Sequence, residues 1–259
     1  MRRLFSKTIM INFEQIDIIP HLIDVPNPRV AIATLSTDFT IEQDYRRICH
    51  NIPIDIFVNR IPFDNPMTHE NYLKMADRLP KIAENILPGQ NLNTVAFGCT
   101  SGTVAIGEEK ITSQIRKSKP GVYVTTPITA ALRAFKKLNI CKIAILTPYP
   151  KLVNQTVYEY LIDRQIEIDT FSGFNIDNDM DVAKVDPQHL IKTIKEINYS
   201  DVDAVFVSCT ALRIVEVLQE VEDFIKKPVI SSNQAIIWDT IRSVNINSNI
   251  NGYGKLFLN

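Results

Sequence analysis

One sequence pattern occurs twice in this chain. Residues 95–111 (VAFGCTSGTVAIGEEKI) and residues 205–221 (VFVSCTALRIVEVLQEV) each hold an apolar run, a Cys-Thr pair and a segment with helical spacing. Each copy is followed by a proline and a second apolar run, Pro120 with VYVTT and Pro228 with VISSN. The repeat predicts an apolar strand that ends in a cysteine at the start of a helix, once in each of two similar halves.

Two further apolar runs, RVAIATL at residues 29–35 and CKIAILTPY at residues 141–149, are typical of strands buried on both faces. Strands that alternate with helices imply right-handed crossovers and parallel sheets, whose ligands bind beyond the carboxyl ends of the strands. We therefore predict an α/β fold with two pseudo-symmetric halves. Each half is a parallel sheet flanked by helices, and the active site lies in the cleft between them.

The spacing of the repeat supports a duplication. Ala33 precedes Cys99 by 66 residues, and Ile145 precedes Cys209 by 64 residues. The predicted organisation is an N-terminal extension at 1–28, a first α/β half at 29–140, a second at 141–242 whose last helix crosses over, and a C-terminal tail at 243–259.

Two helical segments carry specific expectations. The residues after Cys99 are predicted to form one helix to about Lys117, and the residues after Cys209 are predicted to form its counterpart. The segment 68–87 has helical spacing, but Pro80 within it predicts a kink or two helices.

Composition excludes several classes of protein. The chain has 28 basic and 29 acidic residues, a formal net charge of −1 and no long run of one sign, so it lacks the electrostatic footprint of a nucleic-acid or membrane-surface binder. No run approaches the roughly 18 apolar residues of a membrane span, and the N-terminus lacks the apolar core of a secretory signal. We expect a cytoplasmic protein without nucleic-acid or membrane partners.

The four cysteines do not resemble a disulfide framework in a chain of 259 residues. Cys99 and Cys209, at matched strand ends, favour reactive thiols in a reducing compartment, whereas Cys49 and Cys141 are expected in the core. Two alternatives remain for the matched pair: small buried residues that close strands, or a redox disulfide between them.

A pair of thiols can perform acid–base or nucleophilic chemistry. A helix N-terminus lowers the pKa of a nearby thiol, and we expect this effect at both cysteines. One thiolate can remove a proton from one face of a carbon while the other thiol returns one to the opposite face. Alternatively, one thiolate adds to a double bond and the other supplies the proton. Neither route needs a cofactor or a metal, and the four histidines show no metal-ligand spacing.

The residues beside each cysteine fit an acidic substrate. Thr100, Ser101 and Thr210 supply hydroxyl groups, and the adjacent backbone supplies N–H donors for a carboxylate or an enolate. The expected partner is therefore a small carboxylate.

The strings VAFGCTSG, LTPYPKLVN, VFVSCTALR and PVISSNQAIIWDTIR together resemble the aspartate/glutamate racemase superfamily, in particular its maleate cis-trans isomerase and arylmalonate decarboxylase branch. The resemblance runs from about Arg29 to Arg242. It implies the two-half fold, cofactor-independent chemistry at carbons next to carboxylates, and a homo-oligomer, either a dimer or a tetramer.

The resemblance also implies roles for individual residues. Cys99 would be the nucleophile that attacks the double bond, and Cys209 the proton donor. Substrate contacts would come from Tyr149, whose hydroxyl binds a carboxylate, from Thr100 and Ser101, from the N–H of Thr210, and from Asn178 in an Asp-rich loop that we interpret as a flexible flap.

Asp38 departs from this pattern. The isomerases carry Ser-Ser-Asn-Thr-Thr at the first strand end, where this chain has Ser-Thr-Asp-Phe-Thr at residues 36–40. An ionised aspartate cannot donate a hydrogen bond and repels a dicarboxylate such as maleate. The string ATLSTDFTIE resembles relatives associated with ectoine breakdown, where a positively charged substrate would suit an aspartate; the alternative is that Asp38 only caps the following helix.

Three functions remain open. The first is a cofactor-independent cis-trans isomerase or racemase of a small, maleate-like carboxylic acid. The second is an arylmalonate-type decarboxylase that uses one cysteine as proton donor; that branch has glycine where Cys99 stands, so two cysteines favour the first. The third is a non-catalytic carboxylate-binding protein.

Overall fold

The computed structural model describes residues 15–259 of the chain. These residues form two four-stranded sheets in which every pairing is parallel. The strand order is β2-β1-β3-β4 in the first sheet and β6-β5-β7-β8 in the second. The strands are β1 (Arg29–Leu35), β2 (Asp55–Ile61), β3 (Thr94–Gly98), β4 (Tyr123–Thr125), β5 (Lys142–Thr147), β6 (Glu167–Gly173), β7 (Ala204–Val207) and β8 (Val229–Ser231).

Helices connect successive strands and cover the sheets. They are α1 (Ile41–Ile48), α2 (His69–Leu73), α3 (Leu79–Glu84), α4 (Thr100–Ile106), α5 (Glu108–Arg116), α6 (Pro127–Leu138), α7 (Lys151–Ile162), α8 (Asp179–Val182), α9 (Pro187–Glu196), α10 (Leu218–Ile225) and α11 (Ser232–Ser243), with 3₁₀ turns at Ala76–Arg78 and Lys255–Leu258. None of these helices is long and apolar enough to cross a membrane.

The two-half α/β fold predicted from the repeat is confirmed. Adding four to each strand number converts the order of the first sheet into that of the second. The central strands β3 and β7 are buried along their whole length, as their continuous apolar sequences predict. The predicted pseudo-symmetry therefore brings the carboxyl ends of these two strands to equivalent places.

The last helix of each half packs against the other half. Phe135 of α6 meets Phe206 of β7 edge to face, with ring centroids 5.4 Å apart. Helix α11 returns to the first half, where the Thr240 hydroxyl lies 2.7 Å from that of Tyr45 and the Asp239 carboxylate pairs with Arg133 at 2.9 Å. These contacts hold the two halves together. The domain boundaries after residues 140 and 242 stay a prediction.

Two helix predictions for the first half have clear outcomes. The single helix expected from Cys99 to about Lys117 is wrong, because Gly107 interrupts it with a positive φ of 90° that ends α4 and begins α5. The break expected at Pro80 is confirmed, with Pro80 in the first turn of α3.

The helix expected directly after Cys209 is absent, and α10 begins only at Leu218. The Thr210 carbonyl, which would accept a bond inside such a helix, accepts one from the Asn233 side chain at 2.7 Å instead. Leu212 and Ile214 are completely buried in the resulting irregular loop. Tertiary contacts therefore override the helical spacing of the sequence.

The remaining cysteines and the two ends of the chain can also be compared with the expectations from the sequence. Cys141 is exposed rather than in the core, because it precedes β5 at the amino edge of the sheet, whereas Cys49 is buried as expected. The tail has buried side chains at Leu256 and Phe257, for which its polar sequence gave little signal. Of the predicted N-terminal extension, residues 1–14 lie outside the described residues and 15–28 form no helix or strand.

Candidate active site

The repeated cysteines lie at the carboxyl ends of equivalent strands. Cys99 directly follows β3 and Cys209 lies two residues after β7, with exposures of 3% and 5%. The two thiols are close enough for Cys99 to raise the pKa of Cys209. The same two aspartates, Asp38 and Asp179, raise the pKa of both. The two cysteines therefore lie near each other, among the same acidic groups, where the two halves meet.

Cys99 is the N-cap of α4. Its backbone is extended, and its Sγ accepts the Gly102 N–H at 3.2 Å. The Ser101 hydroxyl lies 3.9 Å from the same sulfur. The preceding Gly98 ends β3 in a tight space, where a Cβ would meet Thr34 and Ile41 at 3.0–3.3 Å. This thiol therefore has the helix environment that the sequence predicts.

Cys209 has a different environment. It has a φ of 152°, which is a strained conformation for a residue with a side chain. Its N–H donates to the Ser232 hydroxyl at 3.0 Å, and its Sγ accepts the Ala211 N–H at 3.4 Å. Thr100 also donates to Ser232, at 2.9 Å, so Ser232 connects the two cysteine loops.

The expected lowering of both thiol pKa values is wrong. Burial raises the pKa of Cys99 to about 12, and the charges of Asp179 and Asp38 add to this, while the Gly102 N–H and Ser101 act against it. Burial and Asp179 raise the pKa of Cys209 well above its usual range. Both thiols are therefore protonated at neutral pH, because loss of solvent outweighs the N–H donors.

Asp38 caps a helix and also faces the site. Its Oδ1 accepts the N–H groups of Thr40 and Ile41 at 2.7 and 3.0 Å, at the start of α1. Its Oδ2 is buried and has no hydrogen-bond partner among residues 15–259, although the Thr210 side chain approaches closely enough to favour the charged form. Burial nevertheless raises the pKa of this carboxyl group.

Asn178, expected in the site, is exposed and caps α8 by accepting the Met180 N–H at 2.9 Å. Its neighbour Asp179 is buried instead, and Oδ2 of Asp179 accepts the Thr37 hydroxyl at 2.5 Å. Burial raises the pKa of Asp179 to about 6, with a further contribution from Asp38. The sequence placed functional residues in this loop but could not show which of its polar side chains points inward.

Two buried tyrosines complete the site. Tyr149, predicted from the sequence, and Tyr72 on α2, which was not predicted, have hydroxyl groups without a hydrogen-bond partner in the described chain. The pKa of each is raised well above its usual range by burial, and the charges of Cys99 and Cys209 contribute in both cases. The only sequence signal at Tyr72 was its position in a segment of helical spacing. We name as the cysteine cluster Cys99, Cys209, Asp38, Asp179, Tyr72 and Tyr149.

A cavity of about 670 Å³ lies beside the cysteine cluster. Tyr72 and Ser101 form part of its wall, together with residues 66–69 and the first turns of α7. Because Ser101 and Tyr72 also neighbour Cys99, the cavity adjoins the cysteine cluster. Within residues 15–259, no group of three or more His, Cys, Asp or Glu side chains is arranged to hold a metal ion.

Comparison with known proteins supports a family assignment. The arylmalonate decarboxylase family model matches residues 64–257. The chain belongs to the arylmalonate decarboxylase family. It is 24% identical to a maleate isomerase of Geobacillus stearothermophilus over 198 residues, 73% of this chain and 78% of that protein. It is 28% identical to an arylmalonate decarboxylase of Bordetella bronchiseptica over 140 residues, 53% of this chain and 58% of that protein.

The fold of this family member is shared with a solved maleate cis-trans isomerase. The Nocardia farcinica enzyme, as a cysteine-to-serine mutant with a covalently bound succinylcysteine intermediate, matches with a TM-score of 0.82 and 16% identity. The match covers 89% of this chain and 98% of that one. Both the isomerase and the decarboxylase branch named from the sequence motifs are thus among the relatives.

Proposed function

We propose that this protein is a cofactor-independent isomerase or racemase of a small carboxylic acid, with Cys99 and Cys209 as its working pair. The observation that carries the proposal is the placement of two buried thiols at equivalent strand ends, beside the same carboxylates and tyrosines. A planar or tetrahedral carbon between two such groups is accessible from both faces.

The two thiols differ in a way that assigns their roles. The Gly102 N–H and the start of α4 stabilise negative charge on Cys99, so Cys99 acts as the base or nucleophile. Cys209 has one N–H donor to its sulfur and no helix start behind it, so it acts as the proton donor.

The proton and electron balance is complete without a cofactor. For a cis-trans isomerisation, the Cys99 thiolate forms a C–S bond to one alkene carbon, and Cys209 gives its proton to the other. After rotation about the new single bond, Cys209 recovers that proton as the C–S bond breaks. For a racemisation, Cys99 removes the proton next to the carboxylate, and Cys209 donates one to the opposite face.

Hydroxyl groups provide the substrate contacts. Tyr149 and Tyr72 have buried hydroxyls without partners among the described residues, and each can donate to a substrate carboxylate. Ser101 faces the cavity beside Cys99. Thr100 and Thr210 shape the cysteine loops through Ser232 and the Gly98 carbonyl. A substrate contact by Asn178 and assembly into a dimer or tetramer stay predictions.

A decarboxylase is the second candidate, because the matching family model is that of arylmalonate decarboxylase. In that reaction the substrate loses CO₂, and Cys209 alone protonates the resulting enediolate. Cys99 is then dispensable. The two candidates therefore differ in what happens when the Cys99 side chain is removed.

Cysteine variants assayed in D₂O test the proposal. The readout is substrate conversion and deuterium incorporation next to the carboxylate, across a panel of small unsaturated, hydroxy, amino and malonate-type acids. We expect Cys99→Ser and Cys209→Ser each to reduce turnover by about 100- to 10,000-fold, whereas the exposed control Cys141→Ser retains it.

Each outcome has a defined meaning. Full turnover in both serine variants contradicts the paired mechanism. An active Cys99→Gly variant beside an inactive Cys209→Ala variant favours the decarboxylase. Carboxylate binding without conversion by the wild type favours a binding protein.

A further inference from the structure

Two buried carboxylates of the cysteine cluster lack a cationic partner. Asp38 and Asp179 are 1% and 5% exposed. Among residues 15–259, neither takes part in an ion pair with a lysine, arginine or histidine side chain. Other buried aspartates differ: Asp44 pairs with Arg47 and Asp239 pairs with Arg133. The lack of compensation is therefore specific to the site.

The charge of Arg60 acts on Asp38, but Arg60 forms no ion pair with the Asp38 carboxylate. Arg60 donates to the backbone carbonyls of Leu35 and Asp38 and forms an ion pair with Glu42 at 2.8 Å. Its guanidinium thus binds the strand end and α1 rather than the Asp38 carboxylate. The Oδ2 atom of Asp38 thus has no cationic partner among the described residues.

Of the two carboxylate oxygens of Asp38, only Oδ1 caps α1, and Oδ2 takes no part in the cap. Helix capping needs one oxygen, and Oδ1 already accepts both free N–H groups of α1. The second oxygen is buried without a partner, an arrangement that is costly unless a ligand supplies a donor. Asp38 lies near enough to Asp179 for its charge to raise the pKa of Asp179, and the Thr37 hydroxyl binds Asp179 rather than Asp38.

We propose that Oδ2 of Asp38 binds a cationic nitrogen of the substrate. The substrate class is then a small carboxylic acid that carries an ammonium or related cationic group, and not a plain dicarboxylate such as maleate. This inference rests on the proposed function for the location of the reacting carbon. The nitrogen lies at the Asp38 end of the cluster, and the carboxylate lies at the Tyr72 and Tyr149 hydroxyls.

Matched pairs of ligands test this specificity directly. Aspartate against succinate, and 4-aminobutyrate against butyrate, differ by one ammonium group each. We expect calorimetry on the wild-type protein to show at least about tenfold tighter binding of the aminated member, which equals about 1.4 kcal/mol. Equal binding of both members in the wild type overturns the inference, and this result needs no variant.

The Asp38→Asn variant tests whether the preference for aminated ligands comes from Asp38. Asparagine keeps an oxygen for the α1 cap and replaces the second oxygen by a donor, so the aminated preference should fall by at least about tenfold and dicarboxylate binding should strengthen. Asp181→Asn, at an exposed position that pairs with Lys184, removes the same charge from the surface and should leave the preference unchanged. A correctly folded Asp38→Asn protein with an unaltered preference contradicts the assignment.

The two proposals fail separately. If the wild type shows no preference for aminated ligands but turnover still depends on both cysteines, only the cationic substrate is rejected. A strong aminated preference with turnover independent of the cysteines rejects only the paired-thiol mechanism.

Discussion

The two cysteine loops have the same origin in the fold but different local structures. Cys99 leads into α4 and receives the Gly102 N–H on its sulfur. Cys209 leads into an irregular loop held by Ser232 and by the Asn233 side chain. The symmetric strand order places both thiols at equivalent strand ends, and the segments after them differ: Cys99 is followed directly by a helix, whereas Cys209 is followed by an irregular loop. Pseudo-symmetry thus sets the positions of the two thiols, while local hydrogen bonding sets their different surroundings.

The largest expected effect comes from the helix start behind Cys99. A Cβ on Gly102 would meet Met75 Cε at 2.6 Å and Cys99 Sγ at 2.8 Å, so Gly102→Ala must displace the thiol. We expect about a 100-fold loss of turnover, measured with the substrate found in the D₂O panel. Gly252→Ala, which adds the same methyl group where no atom lies within 4 Å, serves as the control. Wild-type turnover in Gly102→Ala would show that the Cys99 geometry is not required.

The next effect concerns the Cys209 loop, which lacks a helix and depends on Asn233. The Asn233 side chain donates to the Thr210 carbonyl at 2.7 Å and to the buried Asp44 carboxylate at 2.8 Å. Asn233→Ala leaves both acceptors unsatisfied and should reduce the free energy of unfolding by about 1–3 kcal/mol. Urea denaturation measures this. A change below about 0.5 kcal/mol, typical of surface sites, would mean that the loop is held by packing alone.

The pH dependence of stability sharpens the same contrast, because Asp44 accepts a hydrogen bond from Asn233, the residue that holds the Cys209 loop. Burial raises its pKa from 3.8 to about 7, so between about pH 4 and pH 7 the folded state binds more protons than the unfolded state. Stability should therefore fall as pH rises through this window, by up to about 1.4 kcal/mol per pH unit for a full proton.

Asp44→Asn should flatten this slope, and the remainder should come from Asp38 and Asp179, whose pKa values are also raised. Denaturant midpoints at pH 4.5, 5.5 and 6.5 report the effect. A wild-type stability that rises with pH across this range would contradict the assigned direction.

The smallest effect lies at the break between α4 and α5. Gly107 has a φ of 90°, and a Cβ there would meet no atom within 4 Å, so Gly107→Ala tests backbone strain without a clash. We expect a loss of about 1 kcal/mol of stability with unchanged turnover, seen as a modest fall in melting temperature. Added stability instead would indicate that one continuous helix, as the sequence pattern predicts, is accessible to this segment.

The sequence predicted those features that hydrophobic runs control. The buried strands, their parallel arrangement in two halves and the positions of Cys99 and Cys209 at strand ends all follow from continuous apolar segments that need burial on both faces. The family assignment also followed from the motifs around them.

The features that the sequence did not predict depend on tertiary contacts. The loop after Cys209 has helical spacing, but its conformation is set by a hydrogen bond from Asn233, which is 23 residues later. The raised thiol pKa values come first from burial of the thiols and then from the charge of Asp179. No periodicity distinguishes the buried Asp179 from the exposed Asn178 beside it. Tyr72 enters the site only because α2 packs against α4.

The central claim is that Cys99 and Cys209 share one enclosed site. Prolonged alkylation of the folded protein with iodoacetamide at pH 9, followed by peptide mass spectrometry, tests it without knowledge of the substrate. We predict rapid labelling of the exposed Cys141 and slow labelling of Cys99 or Cys209, with almost no chain labelled at both, because one acetamide group fills the shared space. Doubly labelled chains in the proportion expected for independent reactions would contradict the claim.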